Sequence, residues 1–244
     1  MNWLKGKVVE NRHWTEALFS LRVEAPKLAF QAGQFVRIAL DIEGERVARA
    51  FSFVNPPEDP TLEFYGVIVP QGPLSPRLAR LDAGDALFIA SNPAGFLVLA
   101  EVPEAQTLWL VSTGTGLAPF LSILRTETPW QRFREVVLVH AVRHARELVY
   151  GEMIAKLQRE RGLRYVSFVS REAAPGSLAG RIPAALEDGR LEAAAGLPLS
   201  AAASQVLLCG NPDMLKDVQA ALAGRGMRKH RRRAPGQITT ESFW

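Results

Sequence analysis

Cysteine is nearly absent: Cys209 is the only one in 244 residues. That excludes a disulfide framework and any Cys-rich metal or iron–sulfur site. Histidine is scarce too. Of the four, His140 and His144 stand four apart, but Ala, Val and Arg intervene where a zinc-protease helix would carry Glu. With no carboxylate cluster beside them, no metal is expected, and both read as ordinary structural or surface residues. Long apolar runs are missing: none approaches the roughly 18 residues of a membrane helix. The start, Met1-Asn2-Trp3-Leu4-Lys5-Gly6-Lys7, lacks a secretory apolar core. The expectation is a cytoplasmic protein with no membrane partner. Acid is absent from one stretch. Arg225, Arg228, Lys229, Arg231, Arg232 and Arg233 put six positive charges in nine residues, so a chain of net +4 is −2 elsewhere. Aromatics are absent from that stretch as well, which argues against nucleic acid as its partner.

A hydrophobic share of 48% with 22% charged residues describes a globular chain with a sizeable core. The length suits one large domain or two of ordinary size.

The most informative stretch is Ser112-Thr113-Gly114-Thr115-Gly116-Leu117-Ala118-Pro119. Thr107-Leu108-Trp109-Leu110-Val111 before it reads as a short buried strand, and Phe120–Arg125 after it continues a helix that Pro119 opens. Both glycines then fall in a strand-to-helix turn, where backbone can approach a ligand and free amides can receive phosphate. About sixty residues upstream, Arg49-Ala50-Phe51-Ser52 offers a fixed cation, a flat ring and a hydroxyl, a set suited to a diphosphate or ribityl chain and an aromatic ring system. Two such sites on two kinds of scaffold imply two nucleotides.

The first hundred residues are patterned as strands: 6–14, 17–24, 34–42, 46–54, 62–69 and 86–90, bounded by Gly, Pro, Asp and Asn. Six closely spaced strands predict a small antiparallel barrel. A short helix over 74–81 interrupts them, with Ser75 expected as N-cap and Pro76 at the first helical position. Beyond residue 101 strands and helices alternate: strands 107–112, 136–141, 164–169 and 205–209, and helices 118–125, 147–161 and 213–223, with short helices near 182–188 and 190–195. That is the pattern of a parallel, doubly wound sheet. The expected organisation is a six-stranded barrel over 1–101 and an α/β nucleotide domain over 102–244.

The chain resembles the ferredoxin–NADP reductase family, in particular its bacterial ferredoxin/flavodoxin branch. The likeness runs in order over nearly the whole chain. It is carried by Arg49-Ala50-Phe51-Ser52, Phe64-Tyr65, Gly72-Pro73-Leu74-Ser75-Pro76-Arg77-Leu78, Thr113-Gly114-Thr115-Gly116, Ser170-Arg171-Glu172, Gly180-Arg181-Ile182-Pro183, Cys209-Gly210-Asn211-Pro212 and Glu241-Ser242-Phe243-Trp244. It implies FAD held by Arg49, Ala50, Phe51, Ser52, Tyr65, Pro73, Leu74, Ser75, Thr115, Phe243 and Trp244. The family usually has Tyr where this chain has Phe51, which keeps the ring and loses a hydroxyl. It implies NADP(H) held by Thr113, Gly114, Val142, Arg143, Ser170, Arg171, Arg181 and Asn211. Ser52, Cys209 and Glu241 would border the flavin–nicotinamide contact.

The choice of NADP over NAD has a physical basis. NAD sites place an acid about twenty residues past the glycine turn to hold the ribose 2′-hydroxyl. Here that strand end reads His140-Ala141-Val142-Arg143, and Ser170, Arg171 and Arg181 follow. Cations and a hydroxyl suit a 2′-phosphate. The implied reaction is hydride transfer from NADPH to the flavin, then single-electron steps to a small acidic carrier, ferredoxin or flavodoxin. Arg228, Lys229, Arg231, Arg232 and Arg233 would dock that partner on a monomeric enzyme. A free flavin or quinone reductase of the same fold, or a non-catalytic flavin redox sensor, stays open.

Overall fold

A computed structural model describes residues 2–242. The chain divides into two compact units: one runs up to Val98 and takes in Ala118–Thr126, the other holds Leu99–Leu117 and everything from Glu127 onward.

In the first unit β1 (Trp3–His13), β2 (Leu18–Glu24), β3 (Phe35–Ile42), β4 (Glu45–Ser52), β5 (Leu62–Val67) and β6 (Ala86–Ala90) form one antiparallel sheet in the order β4-β3-β6-β1-β2-β5. The sheet curls until its edges meet: Phe53, just past β4, bridges Phe64 of β5, and the Val54 amide donates to the Glu63 carbonyl at 2.9 Å. Closure removes the exposed edges that an open sheet would present. The alternating inward residues supply the core, with Val8, Phe19, Leu21, Val36, Ile38, Phe53, Phe64, Leu87 and Ile89 all essentially excluded from water.

Between β5 and β6 lies α1 (Ser75–Leu78), shorter than the expected 74–81 and with Ser75 already inside it. Its N-cap is Leu74, not Ser75, because the Ser75 hydroxyl oxygen accepts the Val69 amide at 2.9 Å instead of capping the helix. The far end of α1 is held by β1: Asn11 Nδ2 donates to the carbonyls of Leu78, Ala79 and Leu81, and His13 Nε2 lies 2.8 Å from the Ala79 oxygen.

The second unit is a six-stranded parallel sheet built from β7 (Thr107–Thr113), β8 (Glu135–Val142), β9 (Arg164–Val169), β10 (Leu178–Ala179), β11 (Ser204–Gly210) and β12 (Ile238–Ser242), ordered β10-β9-β8-β7-β11-β12. The chain reverses direction of travel at β7, the position where such sheets bind ligands at the carboxyl ends of their strands. After β7 a 3₁₀ turn, Gly114–Leu117, runs into α2 (Ala118–Leu124). The crossovers carry α3 (Thr128–Arg132), α4 (Gly151–Arg161), α5 (Ile182–Glu187), α6 (Arg190–Ala195) and α7 (Pro212–Gly224). Trp109, Val111, Val137, Val139, Phe168, Val206 and Leu208 form the sheet's share of the core.

Three features depart from the sequence pattern. The helix expected over 147–161 starts only at Gly151, since Tyr150 adopts a left-handed φ of 60° and separates it from a 3₁₀ turn at Ala145–Glu147. α2 is preceded by the 3₁₀ turn, so the amides facing the glycine corner belong to that turn. The edge strands β10 and β12 have no counterpart in the sequence pattern, although Ile238-Thr239-Thr240 is a β-branched run.

Candidate functional site

The first unit gathers its ligand-type residues at the end of β4. Arg49 is exposed, with Nη1 donating 2.7 Å to its neighbour's carbonyl, that of Ala48, and it has no carboxylate partner among the described residues. Phe51 is half-buried, packed on the edge of the core, with its ring over Gly66 of β5. A side chain at Gly66 would put a Cβ 2.9 Å from the Phe51 ring, so this glycine makes room for the ring. Ser52 is 2% exposed, and its hydroxyl has no hydrogen-bond partner among the described residues. A buried orphan hydroxyl costs about 1–3 kcal/mol in desolvation, which a ligand acceptor would recover. Tyr65 is buried on β5.

At α1, Ser75 is oriented by the Val69 amide on its oxygen, and its own proton has no acceptor among the described residues. Leu74 differs from its expected role in one respect. Its side chain is 1% exposed in the barrel core, so only its backbone is available to a ligand. Pro73 is exposed beside it, and Thr115 lies in the 3₁₀ turn of the second unit. Ala50 is exposed on β4. Phe243 and Trp244 lie outside the described residues. The orphan Ser52 hydroxyl, the ring over Gly66 and the poised Ser75 together fit a flavin nucleotide.

The second unit's site forms at the carboxyl ends of β7, β8, β9 and β11. The two glycines of the turn have separate functions. Gly114 has φ +52° and nothing within 4 Å of where a Cβ would sit, so it leaves open space for a ligand. Gly116 is buried against β11: a Cβ there would lie 2.4 Å from the Cys209 carbonyl oxygen and 2.9 Å from Gly210 Cα. It is a packing glycine, not a second point of ligand approach. Gly210 completes the junction with φ +133°, where a side chain would strike Thr113 Oγ1 at 2.2 Å. That same Oγ1 accepts the Asn211 amide at 2.9 Å. Asn211 in turn caps α7, its Oδ1 accepting the amides of Asp213 and Met214 at 2.9 and 3.2 Å.

His140, read from sequence as an ordinary residue, sits directly beneath the turn. It is fully buried, and Nε2 lies 3.2 Å from the Gly114 carbonyl oxygen. Only the Nε2–H tautomer can donate to a carbonyl, which leaves Nδ1 without a partner, as observed. Burial holds its pKa down at about 4, against the smaller upward pull of the Gly114 contact, so the ring is neutral.

Arg143, Arg171 and Arg181 are exposed and have no carboxylate partner among the described residues. Arg143 and Arg171 stand on adjoining loops, joined by the Arg171 amide donating to the Arg143 carbonyl at 3.0 Å. Ser170 is there too, its amide and hydroxyl both donating to Val142 at 3.1 and 3.2 Å. Arg181 is the N-cap of α5. Cys209 and Glu241 are register partners on β11 and β12. Burial, with the Glu241 charge adding to it, raises the thiol well above its ordinary range.

The basic run folds as a tight turn, closed by an Arg231–Ala234 bridge beside a Lys229–Ile238 bridge. Its charge is partly compensated. Arg232 makes a bidentate pair with Glu101 at 2.7 and 2.8 Å, and Arg225 pairs with Glu192 at 2.6 Å. Arg228, Lys229, Arg231 and Arg233 remain exposed with no carboxylate partner among the described residues. No helix among the described residues is long and apolar enough to cross a membrane, and no cluster there could hold a metal ion.

Residues 4–97 match the oxidoreductase FAD-binding domain and residues 110–220 the oxidoreductase NAD-binding domain. The chain is 52% identical over 246 residues to the flavodoxin/ferredoxin–NADP reductase of Shigella flexneri and, at the same identity, to that of Escherichia coli K12. Each match covers all of this chain and 99% of the relative. A crystal structure of a ferredoxin NADP⁺ reductase from Neisseria gonorrhoeae with bound FAD and NADP superimposes with a TM-score of 0.96 at 34% identity, covering both chains completely.

Proposed function

Because the chain belongs to the flavodoxin/ferredoxin–NADP reductase family, we propose that it moves electrons between NADPH and a small acidic one-electron carrier, ferredoxin or flavodoxin. The observation that carries this reading is the coexistence of two nucleotide seats in a chain with one cysteine. Electrons delivered to a flavin here have no iron–sulfur cluster of the chain's own to enter, so they leave to another molecule. When bound, the two cofactors supply the redox chemistry, a hydride passing from nicotinamide to flavin and the electrons leaving singly.

The protein binds, orients and shields. The barrel half, up to residue 101, is the FAD-holding part. Arg49 would hold the pyrophosphate, Phe51 would offer its ring to the flavin, Ser52 would give its buried hydroxyl to the flavin, and Ser75 would donate to a phosphate oxygen. Tyr65, the backbone of Pro73 and Leu74, and the terminal Phe243 and Trp244 complete that set. In the half from residue 102, Thr113 and Gly114 leave the backbone open to the NADP pyrophosphate. Val142, Arg143, Ser170, Arg171 and Arg181 receive the adenosine and its 2′-phosphate, and Asn211 marks the nicotinamide end. Cys209 is a neutral thiol that positions without attacking, with Glu241 beside it. Arg228, Lys229, Arg231 and Arg233 draw in the acidic carrier, and Arg232 serves mainly to fix the turn through Glu101.

The test is anaerobic rapid mixing of the FAD-loaded protein with NADPH and NADH, following flavin absorbance. Fast bleaching by NADPH, slow bleaching by NADH, and loss of the difference in Arg171→Ala and Arg181→Ala are expected. Equal effects of those substitutions on both nucleotides would overturn the 2′-phosphate assignment, and a flavin that NADPH does not reduce would overturn the reductase itself.

A further inference from the structure

The sequence Ser170-Arg171-Glu172 places a carboxylate next to residues read above as a seat for a dianionic phosphate, which by charge alone is the wrong residue there. Its contacts account for it. β8 and β9 pair in register up to Val142 and Val169. Beyond that pair the ladder continues outside the strands: the Ser170 amide donates to the Val142 carbonyl at 3.1 Å and the Arg171 amide to the Arg143 carbonyl at 3.0 Å. The next carbonyl, that of His144, is turned inward to the Glu147 amide at 2.9 Å and gives no further backbone rung. Glu172 continues the link with its side chain, Oε1 accepting the Ala145 amide at 2.7 Å, while Oε2 lies 3.5 Å from His144 Nδ1. On the opposite side of the same loop, Glu147 Oε2 accepts the amides of Arg143 and His144 at 2.9 and 3.2 Å.

We propose that Glu172 is a positioning residue for nucleotide selectivity: it is the outermost rung that holds the Arg143 loop against the Arg171 loop, so that both guanidiniums address one 2′-phosphate. The proposal rests on the 2′-phosphate reading of this site. Both Glu172 oxygens are turned to the 143–147 loop, and its negative charge is partly answered by Arg146 and His144. Without the rung, the Arg171–Arg143 backbone bond becomes the last tie between the two loops and frays more readily, so the joint grip of the two guanidiniums on one phosphate weakens.

The two possible functions of this carboxylate predict opposite signs. A charge that merely sits near the phosphate repels it, and its removal tightens binding. A clamp strengthens binding, and its removal weakens it. Calorimetric titration of the FAD-loaded protein with adenosine 2′,5′-bisphosphate and with adenosine 5′-monophosphate separates them without turnover. Glu172→Ala is expected to weaken the bisphosphate by about tenfold, the scale of one charge-assisted hydrogen bond, and to change the monophosphate by less than about twofold. Glu172→Gln keeps an oxygen for the Ala145 amide and is expected to recover most of the loss. Tighter or unchanged bisphosphate binding in Glu172→Ala overturns the proposal. So does equal weakening of both nucleotides, or a Gln variant as weak as the Ala one. A wild-type protein that does not prefer the bisphosphate overturns the site reading on which the proposal stands. A wild type that prefers it, with Arg171→Ala weak and Glu172→Ala unchanged, overturns the clamp alone.

Discussion

His140 Nε2 lies 3.2 Å from the Gly114 carbonyl oxygen, which places a fully buried neutral imidazole under the glycine turn that follows β7. The ring's folded pKa of about 4 lies below the ordinary value of 6.5. Between those values the unfolded chain binds a proton that the folded one does not, so stability rises with pH there. The contribution is complete above about pH 6.5, is lost as pH falls toward 4, and amounts to about 3 kcal/mol. Urea unfolding of wild type and His140→Gln at pH 8 and pH 5 should show a steeper decline for the wild type. Parallel declines would remove His140 as the source.

Ser52→Ala should act with opposite sign on the two forms of the protein. The ligand-free protein loses a buried, unpartnered hydroxyl and should gain about 1 kcal/mol. FAD, deprived of that donor, should bind about tenfold more weakly. Thermal melts with and without FAD give both numbers, and a ligand-free melt that falls would show that the hydroxyl is satisfied within the protein.

The two turn glycines should separate in mutagenesis. Gly116→Ala forces a Cβ within 2.4 Å of the Cys209 carbonyl, a backbone contact that cannot give way, and should destabilise the second unit by several kcal/mol. Gly114→Ala meets open space and costs only the left-handed φ, about 1 kcal/mol. It should fold, and its defect should appear as a raised KM for NADPH. Similar melting temperatures for the two variants would contradict the division of function.

Cys209 should resist a thiol reagent in the native protein, since burial and the Glu241 charge both disfavour the thiolate. One thiol should titrate only after denaturant is added. Rapid labelling of the folded protein would place Cys209 at the surface.

Reversing charge at Arg231 and Arg233 should lower kcat/KM for an acidic carrier by roughly tenfold at low salt and flatten its salt dependence. Arg232→Ala should do less to the carrier, because that guanidinium is already engaged by Glu101. Activity with a small dye acceptor should not change in any of these variants. An Arg232 effect equal to the others would mean that the pair opens on docking.

The barrel was legible because turn residues punctuate short β-branched runs, and the parallel sheet because strand and helix periods alternate. The candidate sites were legible where residue type alone suggests the chemistry, as in Arg49-Ala50-Phe51-Ser52 or the run of arginines. What stayed hidden depends on register. Nothing in the sequence shows that Gly116 is pressed against Cys209 and Gly210, or that His140 lies beneath Gly114, since those contacts arise between strands distant in sequence. Ser75 misled for a related reason. A serine before a proline is a good N-cap, yet a non-local amide, that of Val69, took its oxygen first. Glu172 stands in a motif but without a role in the sequence, because its partners Ala145 and His144 lie 27 and 28 residues away.

The grouping of α2 with the barrel has a consequence for the order of events during synthesis. Ser122 Oγ donates to the Asn55 carbonyl at 2.7 Å and Arg125 reaches Asp59 and Glu63, all from a segment that follows β7 in the chain. A ribosome delivers every barrel strand before it delivers that helix. The nascent barrel therefore waits without the Ser122 and Arg125 contacts until Thr126 has cleared the exit tunnel. By then the first strand of the second sheet is already outside. Vectorial folding of this chain cannot proceed as one finished half followed by another.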